Sequence, residues 1–387
     1  MLHQKEKSPR YSLHANESHQ IGGTAVLIEI TTASPPYEVP QAKATEFLKS
    51  RMAVRPAIAR LIEAASQHSG IDTRYVVVPD GELQPTQKFY STDHGTVIPD
   101  TKERMNQYEH WAKVLTKEAV ARLLEKTQCD PSSIRRLITI SCTGFFAPGI
   151  DYFLMNEFHI TASTQRTHIG FMGCAAALVG FTSVLEALHA ADAEQSTTLL
   201  VAVELCSLHL QTEPTRDNIL ANMIFADGCA AALFSRSSSY SPRLQLVKTH
   251  SHLFPNSSEY MGWKIGNFGF EMTLSSELPQ IISEEAIPVL DALFRQHGIA
   301  RDSIRHWVLH PGGRAILDAL QNGLHLDDDA MTPSRAVLKN YGNMSSASIL
   351  FVMKELLTTR TIAKDDYVCA IAFGPGLTME VAFLKGA

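Results

Sequence analysis

Two stretches of this chain echo each other in the same order, and that echo limits the architecture more than any other feature. Ser133-Ile134-Arg135-Arg136-Leu137-Ile138 opens an apolar strand behind a helix-like segment, and Ser303-Ile304-Arg305-His306-Trp307-Val308 does so again. The first strand runs into Ser141-Cys142-Thr143-Gly144, the second into His310-Pro311-Gly312-Gly313. Further on, Phe225-Ala226-Asp227-Gly228 and Phe373-Gly374-Pro375-Gly376 each read as a turn between two apolar, strand-like runs. A chain written this way is expected to hold two related α/β halves. We place them at residues 21–238 and 239–387, behind a polar leader at residues 1–20.

The strand texts LITIS, LLVAVEL and WVLH are continuous apolar runs, the mark of strands covered on both faces. The segment after Cys174, AAALVGFTSVLEALHAADA, reads as a helix whose first turns are small on every side. Such a helix suits a position squeezed between layers, so a sheet–helix–sheet core is expected. No Gly/Ser linker or charge run interrupts the chain, which favours one body.

Composition narrows the function. Hydrophobic residues make up 45% and charged residues 19%, which excludes a disordered chain or a coiled coil. Lys+Arg number 34 against 40 Asp+Glu, so no basic surplus points to nucleic acid. No run of 18 apolar residues calls for a membrane span, and the polar N-terminus does not read as a secretory signal. The six cysteines form no CxxC pair, which argues against zinc and for reduced thiols in a cytoplasmic setting.

Three residues carry the candidate chemistry. Cys174 follows Gly173 at the start of the small-residue helix, where free N–H groups favour thiolate; the competing reading is a small buried hydrophobe. His310 ends an apolar strand beside two glycines, which let a ligand approach the backbone. Asn343, in Tyr341-Gly342-Asn343-Met344-Ser345-Ser346, reads equally well as a helix cap. Together they are the parts for acyl transfer through a thioester. The thiolate takes the acyl group, and the imidazole and amide N–H groups donate to a thioester oxygen. No metal or redox cofactor is required. Residue types alone do not select the reaction, because papain-like proteases also use Cys, His and Asn.

The surrounding motifs are more specific. Gly173-Cys174-Ala175, His310-Pro311-Gly312-Gly313, Tyr341 to Ser346 and Phe373-Gly374-Pro375-Gly376-Leu377-Thr378 closely resemble type III polyketide synthases, the chalcone synthase-like family. The resemblance runs from about residue 20 to the C-terminus. It implies a homodimer of the thiolase fold, a duplicated αβαβα core, in which each subunit holds one Cys–His–Asn centre at the end of a CoA tunnel. It also implies an acyl-CoA starter loaded on Cys174, decarboxylative Claisen extension with malonyl-CoA, and cyclisation. His310 and Asn343 become the decarboxylation and oxyanion donors. Phe225 and Phe270 fall on the family's two gatekeeper phenylalanines, and Ser345 falls within the Asn343 motif at the cavity. Cys142, Cys206 and His209 stand where plant chalcone-forming enzymes carry threonine, and Ala147 replaces a methionine in a loop expected to reach the partner subunit with a cis bond before Pro148. Thr143, Ala147 and Cys206 together resemble the wall of bacterial long-chain alkylpyrone and alkylresorcinol synthases. Arg55 and Arg60, with Gly312 and Gly313, are the candidates for CoA contacts, although the early helix holds fewer cations than the family pattern.

Three other readings compete. A ketoacyl synthase III acting on acyl carrier protein shares the three residues but lacks the loop at 373–378. A papain-like protease would need a CGSCW-like setting, which is absent. A non-catalytic scaffold would not need all three polar residues.

Overall fold

The computed structural model describes residues 25–52, 55–78, 80, 88–90, 98–189, 196–236 and 239–387. The leader expected at 1–20 lies outside them.

Thirteen strands organise the chain: β1 (Val26–Ala33), β2 (Tyr37–Pro40), β3 (Thr73–Val76), β4 (Ile134–Ser141), β5 (Gln165–Gly170), β6 (Thr197–Leu205), β7 (Asp227–Ser235), β8 (Leu244–Leu253), β9 (Met261–Gly266), β10 (Gly269–Leu274), β11 (Ile304–Leu309), β12 (Tyr367–Gly374) and β13 (Thr378–Gly386). Nine of them form one long array in the order β11-β12-β13-β8-β1-β7-β6-β4-β5. Only two residue pairs join β1 to β8, so the array is two sheets meeting at a seam. On one side β4 and β6 run parallel, while β6–β7 and β7–β1 are antiparallel. On the other, β11 and β12 run parallel, while β12–β13 and β13–β8 are antiparallel. The same pattern occurs twice, with β5 an extra edge strand in the first set.

Between the sheets lie two helices. Ala176–His189 packs on β4 and β6 on one side and on β8, β12 and β13 on the other. Ser348–Thr359 touches β11, β1 and β7. The small first turn is what admits the former. Ala175, Ala176 and Ala177 are fully buried, and a Cβ on Gly180 would stand 2.7 Å from Leu200 Cδ1. All nine residues of β6 are buried, as a strand covered on both faces must be. Outside one sheet runs Thr101–Thr127, against β1, β6 and β7, begun by a capping box between Asp100 and Glu103. Outside the other, Leu290, Phe294, Leu317 and Leu320 meet Leu309, Ile371, Val381 and Phe383 in one core. The layers are therefore αβαβα.

One part of the echo resolves differently. The strand-like text before Phe225 is the end of a helix, Arg216–Ile224. In the second half β12 and β13 are joined by a three-residue turn, whereas β6 and β7 are separated by the excursion 206–226. That excursion carries Cys206, His209 and Phe225. Its apolar text, NMIF, cannot by itself distinguish a buried helix end from a strand.

Candidate active site

The turn holding Cys174, Gly173–Ala175, leads directly into the small-residue helix. Gly173 has φ +60°, and a Cβ there would fall 2.3 Å from Pro375 Cδ. Likewise, a Cβ on Gly374 would meet Met172 O at 2.7 Å. The β12–β13 turn thus presses on the nucleophile's backbone, which only glycines permit.

His310 follows β11, and its N–H extends the β11–β12 ladder to Ile371 O (2.9 Å). The ring is buried and neither nitrogen has a protein partner. Burial pushes its pKa down to about 3, so the imidazole is neutral. Asn343 is held from both sides. Its N–H donates to Ile224 O (2.8 Å), and its carbonyl accepts from Ala226 N (2.9 Å), bridging it to Phe225. Asn343 Oδ1 accepts from Ser345 N (2.8 Å), and Nδ2 donates to Gly312 O (3.3 Å). These bonds orient the amide and leave one Nδ2 proton for a ligand.

Cys174 Sγ lies 3.9 Å from Asn343 Oδ1 and 3.7 Å from Ser345 Oγ. Sequence reasoning anticipated a thiolate at a helix N-terminus. Burial acts the other way, pushing this thiol up to about 12, and the Ser345 hydroxyl offsets only part of that.

Three cavities meet at Phe225 and Met272, and two of them reach Cys174. One of about 290 Å³ is lined by Cys174, His310 and Asn343, with Phe225, Gly312 and Gly313. A second, of only about 30 Å³, lies against Cys142, Thr143, Cys174, Cys206 and Ser345. The third, about 560 Å³, extends towards the helix Gln41–Met52 and is lined by Val39, Phe47, Leu48, Leu210 and Met223 among others. Phe225 and Met272 line all three. Phe225 therefore stands at the junction, and the residue that shares it is Met272. Phe270 lines only the largest chamber, stacked on His209 with ring centroids 4.2 Å apart.

His209 is more than a wall residue. Its Nε2–H donates to Thr143 O (2.7 Å) and its Nδ1 accepts from Phe270 N (3.0 Å). Burial drives it to about 3, so it works as a neutral crosslink. Ala147 lies elsewhere. It is exposed in a loop beside Tyr108 and His168, and its bond to Pro148 is cis. Arg55 and Arg60 are exposed and line none of these cavities. The arginines that do line the nucleophile's cavity are Arg216 and Arg314.

Several residues escaped sequence reasoning. Glu204, fully buried at the end of β6, accepts from Cys142 N (2.9 Å), Thr143 Oγ1 (2.8 Å) and Ser346 Oγ, so one carboxylate joins the cavity wall to the Asn343 loop. A single acid ending LLVAVEL was the available signal. Arg74 Nη1 donates to Asn222 O (2.6 Å) and Phe225 O (2.8 Å), holding the junction. Trp263, on β9 opposite Met272, donates from Nε1 to Cys142 O (2.7 Å) and helps fill the space beside Cys142 and Cys206. Nothing in the sequence marked it.

Known proteins match this arrangement along its length. Residues 84–252 match the family described as FAE1/Type III polyketide synthase-like protein, and residues 245–387 match chalcone and stilbene synthases, C-terminal domain. A 1,3,6,8-tetrahydroxynaphthalene synthase of Streptomyces griseus is 30% identical over 329 residues, which is 85% of this chain and 83% of that protein. The chain belongs to the type III polyketide synthases. The alpha-pyrone synthesis polyketide synthase-like Pks18 of Mycobacterium tuberculosis is 27% identical over 381 residues, covering 95% of both chains. The crystal structure of PKS-I from the brown alga Ectocarpus siliculosus superposes with a TM-score of 0.88 at 30% identity, covering 96% of this chain and 100% of that one. As a type III polyketide synthase the protein has the thiolase fold and is an acyltransferase of decarboxylating condensation, the chemistry by which this family uses acyl-CoA and malonyl-CoA.

Proposed function

We propose that this enzyme loads a long-chain fatty acyl group on Cys174, extends it with malonyl-CoA and closes the product to an alkylpyrone or alkylresorcinol. The observation that supports the starter is the 560 Å³ chamber opening at Phe225 and Met272, where Phe47, Leu48, Leu210, Met223 and Phe270 form an apolar side and Lys43, Glu46, Arg51 and Lys88 a charged one. Each methylene buried against the apolar side contributes about 0.8 kcal/mol, which discriminates by chain length.

The chemistry follows from the site. Cys174 Sγ attacks the acyl-CoA carbonyl, its proton leaves with CoA as the thiol, and a Cys174 thioester remains. Malonyl-CoA then loses CO₂. The C–C electron pair becomes an enolate, whose oxygen accepts from His310 Nε2–H and the remaining Asn343 Nδ2–H. A neutral, desolvated imidazole suits that task, and His310 is one. The enolate carbon attacks the Cys174 thioester, the thiolate departs as a β-ketoacyl-CoA forms, and one proton taken up from water restores the Cys174 thiol. Reloading repeats the cycle. The same reading makes the enzyme a cytoplasmic homodimer.

A second reading, short or aromatic starters, rests on a different observation. The space beside Cys142 and Cys206 is only about 30 Å³, because Trp263, Met261 and Met272 occupy what smaller wall residues vacate. One assay separates the two: purified enzyme, malonyl-CoA and acyl-CoA starters from C2 to C20, with products read by mass spectrometry. Yields peaking at long chains support the proposal. Products from short or aromatic starters alone replace it with the second reading.

A further inference from the structure

The cavity that holds the three reactive residues has a buried and an exposed end. Cys174, His310, Asn343 and Phe373 form the buried end, while His68, Arg216, Ser276 and Arg314 are exposed at the other. The unpartnered, buried His310 imidazole faces the same space, so the cavity is built to receive a polar ligand. At the exposed end the charge is cationic and comes from two separate elements. Arg216 opens the helix Arg216–Ile224 and donates to Ser276 Oγ (3.0 Å). Arg314 opens the helix Arg314–Leu324 directly after Gly312 and Gly313, and lies 3.6 Å from Asp318 Oδ2. An arginine carries five N–H donors in a planar fork, so each has donors beyond these contacts. Both also sit at helix N-termini, where an anion is favoured. The early helix Pro56–Gln67 meets the cavity only through Ala65, and its Arg60 does not line it.

We infer that Arg216 and Arg314 together bind the phosphates of the phosphopantetheine thioester, clamping them at the cavity mouth in place of cations on the early helix. The assignment rests on the reading that CoA thioesters reach Cys174 through this cavity. It explains how the chain manages with few basic residues on that helix. The ligand chemistry, a phosphate on a pantetheine arm, is shared by CoA and by a carrier protein's prosthetic group, and the charge at the mouth suits free CoA with its additional phosphates.

Titration calorimetry on the full-length enzyme tests this without relying on turnover. The probes are CoA, 4′-phosphopantetheine and pantetheine. Arg216→Ala and Arg314→Ala should each weaken CoA binding by about tenfold, the size of one lost charge-assisted contact, and leave pantetheine unchanged. Arg60→Ala should leave all three unchanged. A weaker effect on 4′-phosphopantetheine than on CoA identifies the phosphates unique to CoA as the bound group, and an equal effect identifies the phosphate that a carrier protein also presents. CoA binding unaltered in the double variant, or no CoA binding by the wild-type enzyme, overturns the clamp. Because the readout is binding, arginine-dependent CoA affinity in an enzyme that makes no polyketide would keep the clamp and sink the functional reading.

Discussion

Cys174 illustrates how two local effects compete. A helix N-terminus lowers a thiol's pKa and burial raises it, and burial here pushes the thiol up to about 12. The thiolate fraction below the pKa grows tenfold with each pH unit. Alkylation of Cys174 by iodoacetamide should therefore accelerate steadily from pH 7 to 9, with no plateau. A rate already level at pH 6–7 would show an imidazolium–thiolate pair with His310 and contradict the neutral site. The two donors make a separate prediction. His310→Ala and Asn343→Ala should each slow malonyl-CoA decarboxylation by about 10²–10³-fold, as removal of one oxyanion donor does elsewhere. Trapping of released ¹⁴CO₂ measures this, and an unaffected variant would lose its assigned role.

The β9–β10 hairpin is the element that most changes the picture drawn from sequence. The resemblance of Thr143, Ala147 and Cys206 to the wall of long-chain alkylpyrone and alkylresorcinol synthases implies a tunnel off the active site. Thr143 and Cys206 do line the space beside Cys174, but Trp263 crosses from the hairpin and fills it, and Ala147 lies elsewhere. Wall volume is a sum over elements distant in the chain, and no local pattern reports it. Trp263 also lines the large chamber, together with Cys206, Phe225 and Met272. Trp263→Ala should merge the two spaces. Products should gain one or more malonyl units or accept longer starters, at a stability cost of about 3 kcal/mol or less, since the indole is only partly buried. An unchanged product mass profile from a folded variant would mean that Phe225 and Met272 alone set the partition. The 206–226 excursion teaches the same lesson. Arg104, fully buried, holds it through Leu208 O (2.9 Å) and Leu210 O (3.0 Å), a contact spanning about a hundred residues.

Beyond a single chain, the surface around β5 is unfinished. Among the described residues this strand is paired only with β4, and Phe145, Tyr152, Phe171 and Met172 stand exposed nearby. Edge strands beside apolar surface favour association. The proposed homodimer would cover this face and bring the Ala147 loop towards the partner's cavity. Sedimentation should give twice 42.6 kDa, and Phe145→Asp should yield monomers. Ala147→Met should then shorten the accepted starter only where the dimer persists. A dimer insensitive to Phe145→Asp would place the interface on another face.

The layered duplicated architecture was legible in the chain itself. Continuous apolar strands, a helix of small residues and a repeated strand-to-turn order follow from backbone periodicity and burial, which are local properties. The three reactive residues were legible for a related reason: each sits at a strand end or helix start where short sequence marks the turn. Their protonation states, the pairing of Met272 rather than Phe270 with Phe225, the filling by Trp263 and the position of the cations at the mouth were decided only when distant elements packed. Those features are distances and desolvation between groups far apart along the chain, and they come into existence when the sheets close on the two central helices.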